Sequence, residues 1–342
     1  MRNITSLELV KEMKIGWNLG DTLDATGKKG LACEISWGNP TTSKSMFDMV
    51  KKAGFNTSRI PVTWDKHMKD APDYEIDAEW MNRAQEIVDY SISNDMFTII
   101  DLHHESWHTP TYDNLDKAKY RLSKVWGQIA ERFADYDERL IFDGMNEPRM
   151  VGTPFEWNGG NSEGWDVLNK LNEVFIETIR NGRGNNKLRH LLIPTYAAST
   201  EKIALEGFVM PKNADDKVMV SVHAYTPYEF ALKAGKTSEW SRLNAKDTSP
   251  IDDLMKNLND TFLSKGFPVI LGEFGARDKE NIDSRVEWAI YYVSKAKQMG
   301  IPCIWWDNGC FEGKGERFGL LDRNMLNWRY PQIIEALMDG LR

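Results

Sequence analysis

Eight short apolar segments recur along this chain of 342 residues, and amphipathic helical segments lie between them. Most of the eight are continuous apolar runs rather than alternating ones, a pattern that favours parallel strands buried on both faces of a sheet. The predicted strands cover residues 15–19, 57–62, 97–103, 140–145, 191–196, 218–225, 268–274 and 302–306.

The segments between the strands repeat apolar residues at intervals of three and four, which predicts helices. Eight strand–helix units average about 43 residues each, which fits a (β/α)8 barrel with several long loops. Because no linker rich in proline, glycine or serine divides the chain, we expect an α/β fold in which residues 1–342 form a single barrel domain. The predicted helices cover residues 44–53, 78–90, 165–179, 286–299 and 333–341.

Two of the predicted strands end at a glutamate. Glu147 follows the fourth apolar run and precedes Pro148, and Glu273 ends the seventh. Burial gives no reason for a carboxylate at such a position. The carboxyl ends of all strands meet at one face of a barrel, so the two acids would face each other. Hydrolysis of a glycosidic bond needs such a pair, in which one acid protonates the leaving oxygen and the other attacks the anomeric carbon.

Other polar and aromatic residues at the predicted strand ends would converge on the same pocket. An arginine beside a glutamate would hold that glutamate ionised, which is a role for Arg59. Asn146 could hydrogen-bond a sugar 2-hydroxyl, Tyr225 could orient the attacking carboxylate, and histidines could tune the acid or bind sugar hydroxyls. These candidates are Asn18, Arg59, His103, His104, Asn146, His223, Tyr225, Trp306 and Asn308.

Composition argues against several other classes of protein. A formal charge of -8 makes nucleic acid an unsuitable partner. No apolar stretch approaches the roughly 20 residues that cross a bilayer, so no membrane partner is expected. The first residues lack the apolar region of a signal peptide, which leaves either a cytoplasmic protein or a chain whose signal was removed. The 13 tryptophans suit stacking on sugar rings, and Trp37 lies in a predicted loop.

His104 to His108 match the H-E-x-x-H zinc motif. That motif requires a helix, because both histidines must share one face. Here it follows directly on a predicted strand, and Pro110 disfavours helical geometry in the residue before it. We therefore expect no metal ion and no cofactor, and we assign His104 to the wall of the pocket.

Seven short motifs, in order along the chain, resemble those of glycoside hydrolase family 5, and most of all its subfamily 4 of bacterial endo-β-1,4-glucanases. The resemblance covers nearly the whole chain, since every predicted strand except the fifth carries one motif. Asn-Glu-Pro alone is a weak signal, whereas seven motifs in order are specific. They are GWNLGD at 16–21, SRIP at 58–61, DLHHE at 101–105, NEP at 146–148, HAY at 223–225, GEFG at 272–275 and WWDNG at 305–309.

The resemblance implies a retaining enzyme that hydrolyses internal bonds of cellulose-type chains, mixed-linkage β-glucan and, as a further candidate, xyloglucan. It implies Glu147 as acid/base and Glu273 as nucleophile, with their carboxyl groups about 5 to 5.5 Å apart. The supporting residues would be Arg59, His103, Asn146, His223 and Tyr225. The substrate-binding residues would be Asn18, Trp37, His104, Trp306 and Asn308.

The residues leave other interpretations open. The same barrel could carry an endo-β-mannanase or a xylanase, since loop aromatics and cleft width decide the sugar. A non-catalytic sugar-binding barrel is a further alternative, although a binding protein needs no acid pair. A metal-dependent hydrolase could use His103, His104 and His223. Because a polysaccharide cannot cross a membrane, we expect a secreted, extracellular enzyme, its signal peptide absent from this chain, that acts as a monomer.

Overall fold

The computed structural model describes residues 1–235 and 237–342. Eight parallel strands close into a barrel in which each strand pairs with its neighbours in sequence, and the first pairs with the eighth. The predicted (β/α)8 barrel is therefore confirmed. The strands are β1 (Ile15–Leu19), β2 (Thr57–Ile60), β3 (Phe97–Asp101), β4 (Leu140–Asp143), β5 (Leu191–Pro194), β6 (Val218–His223), β7 (Val269–Phe274) and β8 (Cys303–Asp307), followed by a hairpin of β9 (Leu321–Asp322) and β10 (Asn327–Trp328).

Helices surround the barrel, and the five predicted from periodicity are present with ends shifted by up to four residues. Among the described residues, no helix is both long enough and apolar enough to cross a membrane. The helices are α1 (Ser6–Glu12), α2 (Lys44–Lys52), α3 (Ala78–Ile92), α4 (Leu115–Arg132), α5 (Ser162–Arg180), α6 (Lys202–Gly207), α7 (Tyr228–Ala231), α8 (Ala245–Thr261), α9 (Ile282–Gln298) and α10 (Pro331–Asp339).

Five predicted strands extend two residues beyond the observed C-terminal ends of β2 to β6. Most of the extra residues, such as His103 and Met145, are buried, but they belong to the segments that leave the sheet. An apolar run reports burial, and burial continues after the ladder of backbone hydrogen bonds ends. The site residues at these positions consequently lie just above the barrel rather than within its strands.

Two apolar cores position the strands. The larger lies between the outer face of the barrel and the surrounding helices. The smaller fills the lower interior of the barrel, and α1 closes this end with Leu9 and Val10. A capping box at Thr5 and Glu8 fixes the start of α1. The strand residues of the inner core are Phe97, Ile99, Ile141, Leu192, Met219, Ile270 and Ile304.

Candidate active site

Glu147 and Glu273 meet at the C-terminal face of the barrel. Glu147 lies in the loop after β4, and Glu273 is the next-to-last residue of β7. One oxygen of each carboxyl group and one ring nitrogen of His223 all lie within 4.8 Å of one another. This spacing is close to the roughly 5 Å of a retaining pair and shorter than the roughly 6.5 Å at which inverting pairs begin. The structure thus brings the two acids together.

An irregularity in β7 turns Glu273 toward the pocket. Val222 of β6 pairs with Leu271, but the next residue, His223, pairs with Glu273, so Gly272 is an extra residue on β7. Strict alternation would place Glu273 on the outer face beside Leu271, which packs in the outer core. A bulge re-aims the side chain that follows it. Glycine suits this position, because a Cβ there would lie 3.1 Å from His223 Nε2.

A fully buried arginine, Arg59 on β2, is the hub of the polar interior. Its guanidinium group faces three carboxylates and two amide oxygens. Because one cation serves three acids, the site would carry net negative charge if all three were ionised, which is costly in a buried site. Its partners, at N–O distances of 2.6 to 3.4 Å, are Asn18, Asp101, Asp143, Asn146 and Glu273.

Glu273 accepts a hydrogen bond on each carboxylate oxygen. Arg59 Nη1 donates to Oε1 at 2.9 Å, and the Tyr225 hydroxyl donates to Oε2 at 2.8 Å. Burial raises the pKa of Glu273, and the neighbouring His223, the charge of Arg59 and the hydrogen bond from Tyr225 oppose that rise. Donors to both oxygens favour the ionised form. The surroundings therefore equip Glu273 to act as an anion.

Glu147 has different neighbours. Its Oε1 lies 2.9 Å from His223 Nδ1, and its Oε2 lies 3.7 Å from the guanidinium of Arg149. Burial raises the pKa of Glu147, and Arg149 is the strongest opposing charge. Burial also lowers the pKa of His223 to about 4, so this imidazole is neutral near pH 7. A neutral imidazole can either donate to or accept from the carboxyl group, so the contact is compatible with both protonation states of Glu147.

Asp101 and Asp143 are site residues that the sequence analysis did not identify. Asp101 accepts from Arg59 at 2.7 Å and from a backbone N–H, and it lies 2.8 Å from His103 Nδ1. Asp143 has only long contacts, 3.4 Å to Arg59 and 3.3 Å to the Ser221 hydroxyl, and its Oδ1 has no hydrogen-bond partner among the described residues. Burial raises the pKa of Asp143 to about 8. Asp143 is therefore a neutral acid near pH 7.

Aromatic side chains line the pocket above the charges. The rings of His103 and Trp306 are parallel within 2°, with centroids 5.7 Å apart. Asp101 fixes the orientation of the His103 ring. At the rim, the exposed rings of Trp37 and His104 lie 5.6 Å apart. Flat apolar surfaces of this kind suit the faces of sugar rings.

Two of the predicted substrate-binding residues are buried in the structure. Asn18 is fully buried, and its amide donates to main-chain carbonyls of β7 and β8 while its oxygen accepts from Arg59. Asn308 is also buried, and its amide binds the main chain of residues 310, 316 and 318. Both side chains make their hydrogen bonds inside the protein, where they support the walls of the pocket.

Arg149 and Trp157 lie at the rim beside Glu147, and the role of Arg149 was missed. Arg149 Nη1 donates to the main-chain carbonyl of Glu147 at 2.9 Å, and its guanidinium lies 4.1 Å from the ring centroid of Trp157. Trp157 is 61% exposed. The available signal was a cation two positions after a candidate acid, in a loop that also carries an aromatic residue.

The chain matches the sequence model of Cellulase (glycosyl hydrolase family 5) over residues 23–312. It is 51% identical over 350 residues to Endoglucanase B of Neocallimastix patriciarum, which covers 100% of this chain and 73% of that protein. It is 47% identical to Cellulase/esterase CelE of Acetivibrio thermocellus, covering 99% of this chain and 41% of that protein. A solved GH5-4 broad specificity endoglucanase from Ruminococcus champanellensis with bound cellotriose has a TM-score of 0.96 and 47% identity over 99% of both chains. These matches confirm the resemblance to subfamily 4, and the chain belongs to glycoside hydrolase family 5.

Proposed function

We propose that this chain is a retaining endo-β-1,4-glucanase that cleaves internal bonds of β-glucans by double displacement. The observation that carries the proposal is the pair of facing carboxyl groups with oxygens within 4.8 Å. At this separation the second carboxylate can attack the sugar directly, whereas an inverting enzyme needs room for a water molecule. The names of the relatives, and the cellotriose bound to one of them, support β-glucan as the substrate class.

In this mechanism Glu273 is the nucleophile. Its carboxylate attacks the anomeric carbon and displaces the leaving oxygen, which forms a covalent glycosyl-enzyme. Arg59 and Tyr225 favour the ionised carboxylate and hold its orientation. Asn146 uses its side-chain oxygen to accept from Arg59, which leaves its amide NH2 to donate to a sugar hydroxyl.

Glu147 is the acid/base of the proposal. The raised pKa of this buried carboxyl group favours the protonated form that donates to the leaving oxygen. After that transfer the carboxylate takes a proton from water, and the resulting hydroxide attacks the anomeric carbon and releases Glu273. The His223 contact persists through both steps without a change of tautomer, because Nδ1–H can donate to Oε1 both when Glu147 carries its proton on Oε2 and when it is ionised.

Substrates with and without an activated leaving group test this division of roles. We expect Glu147→Ala to lose far more turnover on β-glucan than on an aryl cellobioside, whose leaving group departs without a proton. The assay measures reducing ends on the polymer and released phenol on the aryl substrate. Equal losses on both substrates would argue against Glu147 as the acid.

A panel of soluble β-glucan, xyloglucan, mannan and xylan separates the glucanase from the alternative activities. We expect release of reducing ends from the glucans, with a rapid fall in viscosity and mixed oligosaccharide lengths that reflect internal cleavage. Faster release of reducing ends from mannan or xylan would show that the enzyme is a mannanase or a xylanase instead. Binding to all polymers without release would favour a sugar-binding barrel.

We also propose that the enzyme is extracellular and monomeric. The substrate is a polymer, which supports a secreted enzyme acting outside the cell. The two acids and the partners of Arg59 complete the site within one chain, so catalysis needs no second copy, and we expect a monomer in which residues 1–342 act as one domain. Light scattering coupled to size-exclusion chromatography tests the monomer.

A further inference from the structure

A second group of metal-ligating side chains lies beside the acid pair. Asp24 is in the loop after β1, and His103 and His104 follow β3. One ligating atom from each lies within 4.8 Å of the other two. Asp24 and His103 are buried, whereas His104 is exposed. Imidazole and carboxylate groups are among the ligands that zinc and copper ions take from proteins.

This group differs from the H-E-x-x-H motif in the same segment. Residues 104–108 form a loop rather than a helix, so His104 and His108 do not share a helical face. The Glu105 carboxylate accepts hydrogen bonds from the backbone N–H of Trp64 at 2.6 Å and from Trp107 Nε1 at 2.5 Å. The spatial group therefore takes one histidine of the motif and leaves the other out.

Asp101 prepares His103 as a ligand. Asp101 Oδ2 lies 2.8 Å from His103 Nδ1 and also accepts from Arg59. A carboxylate that binds one imidazole nitrogen fixes the tautomer and leaves the other nitrogen with its lone pair. His103 Nε2 is therefore the atom available to an ion, and this carboxylate–histidine arrangement is typical of metal sites.

Asp24 supplies a buried carboxyl group. Each of its carboxylate oxygens accepts one backbone N–H, from Asp21 at 3.0 Å and from Thr22 at 2.7 Å. Among the described residues, no lysine, arginine or histidine nitrogen forms an ion pair with it within 4.0 Å. Burial raises the pKa of Asp24 to about 8, so a divalent ion that binds the free lone pairs of this carboxyl group displaces its proton.

We propose that Asp24, His103 and His104 form an inhibitory site for a divalent transition-metal ion, Zn²⁺ or Cu²⁺. Ligands of a tetrahedral zinc ion lie roughly 3.4 Å from one another, so a small rotation of the exposed His104 ring would close the site. An ion held by His103 Nε2 would stand next to the Trp306 ring, which is parallel to His103, and would exclude a sugar from that wall.

Direct binding of ZnCl2 to the chelator-treated full chain, measured by calorimetry, tests the site without any need for activity. We expect one ion per chain for the wild type. His104→Phe keeps a ring at the rim but removes both nitrogens, and it should weaken binding by about 100-fold or more. Asp24→Asn should weaken it as well, and thermal melting confirms that each variant is folded.

His108→Phe is the matched control, because it makes the same substitution at the other histidine of the motif. We expect it to bind zinc like the wild type. The proposal is wrong if the wild type binds no zinc, if His104→Phe binds as tightly as the wild type, or if Glu147→Gln alone removes binding. The last result would place the ion between the two acids and His223, which also lie close enough to share one.

Cellotriose provides a second measurement, which depends on the proposed function as well. We expect saturating cellotriose to weaken zinc binding to the wild type, because ion and sugar use the same wall. Zinc binding that is tight, lost in His104→Phe and unaffected by cellotriose would keep the site but overturn its inhibitory role. A failure of glucan hydrolysis in the substrate panel would leave the calorimetric result unchanged, so the two proposals fail separately.

Discussion

The lower and upper halves of the barrel interior are built from opposite chemistry on the same strands. On β3, Ile99 belongs to the apolar lower core and Asp101, two positions later, binds Arg59. On β4, Ile141 and Asp143 repeat this arrangement. Residues two apart point to the same face of a strand, so one interior changes from apolar to charged within about 7 Å. The lower half stabilises the barrel, and the upper half retains buried charge at a cost in stability that only function explains.

Glu273→Ala has the largest expected effect. It tests whether the buried acids of the upper half serve catalysis. Without the nucleophile we expect turnover of β-glucan to fall by at least about 10⁴-fold, as for removal of a central catalytic group in other hydrolases. We expect the variant to unfold cooperatively on heating, because Arg59 keeps Asp101 as a close counter-ion. A folded Glu273→Ala variant with substantial turnover would contradict the assignment.

Asp101 and Asp143 offer a matched pair within the upper half, because the same isosteric change should have opposite signs. Asp101 accepts from Arg59 and from a backbone N–H, so Asp101→Asn leaves a buried guanidinium facing an NH2 group. We expect a loss of about 3 to 5 kcal/mol in the free energy of unfolding. Urea denaturation at pH 7 provides the measurement, and a loss below about 1 kcal/mol would show that Asp101 is not the main counter-ion of Arg59.

Asp143→Asn should stabilise the protein instead. The pKa of Asp143 is about 8 in the folded chain and roughly 3.9 when unfolded, so the folded state binds the extra proton between these values. Stability contributed by this group then falls as pH rises through that window. The variant should gain about 1.4 kcal/mol over the wild type for each pH unit in the window and should change little below it. A stability difference that is the same at pH 4 and pH 8 would refute a neutral Asp143.

Ile141→Ala tests the lower half. Ile141 is fully buried two positions before Asp143, and its truncation should cost about 2 to 5 kcal/mol of unfolding free energy. We expect kcat and KM at 25 °C to stay near wild-type values, because this side chain belongs to the apolar lower core and not to the polar group around Arg59. A large fall in kcat with an unchanged melting temperature would contradict the assignment of stability to the lower half and activity to the upper half.

The fold was predictable because its strongest signals are local. Continuous apolar runs predicted all eight barrel strands, and periodicity predicted five of the outer helices. The bounds of helix α4 (Leu115–Arg132) were not predicted, although its buried Leu122, Val125 and Ile129 follow the same spacing. Strand ends were the weakest part, because apolar character continues into buried loop residues such as Met145.

The site was only partly predictable, because its electrostatics depend on contacts between distant strands. The motifs identified the two glutamates and Arg59, but the sharing of Arg59 among three acids appears only when β2, β3, β4 and β7 come together. The signal for Asp101 and Asp143 was a charged residue at the end of an otherwise apolar strand. Gly272 marked the bulge that re-aims Glu273, yet a glycine in a strand does not reveal which side chain it turns.

Arg149→Met has the smallest expected effect. It tests whether a charged residue at the rim influences the pKa of Glu147 in the upper half of the barrel. Arg149 lies 3.7 Å from Glu147 Oε2 and lowers its pKa, in opposition to the rise caused by burial. Removing this charge should therefore raise the pKa of Glu147 further. Because the acid must be protonated to donate, the alkaline limb of the kcat/KM profile should move to higher pH.

Arg183→Met is a control for that experiment, since it removes a guanidinium that pairs with Glu131 and Asp135 on the surface. We expect the same pH profile as the wild type. The profile of Arg149→Met on an aryl cellobioside should also shift less than its profile on β-glucan, because an activated leaving group does not require the proton of Glu147. A shift of the alkaline limb to lower pH would mean that Arg149 does not act through the charge of Glu147. Charged residues at the rim would then not control the pKa of the acid.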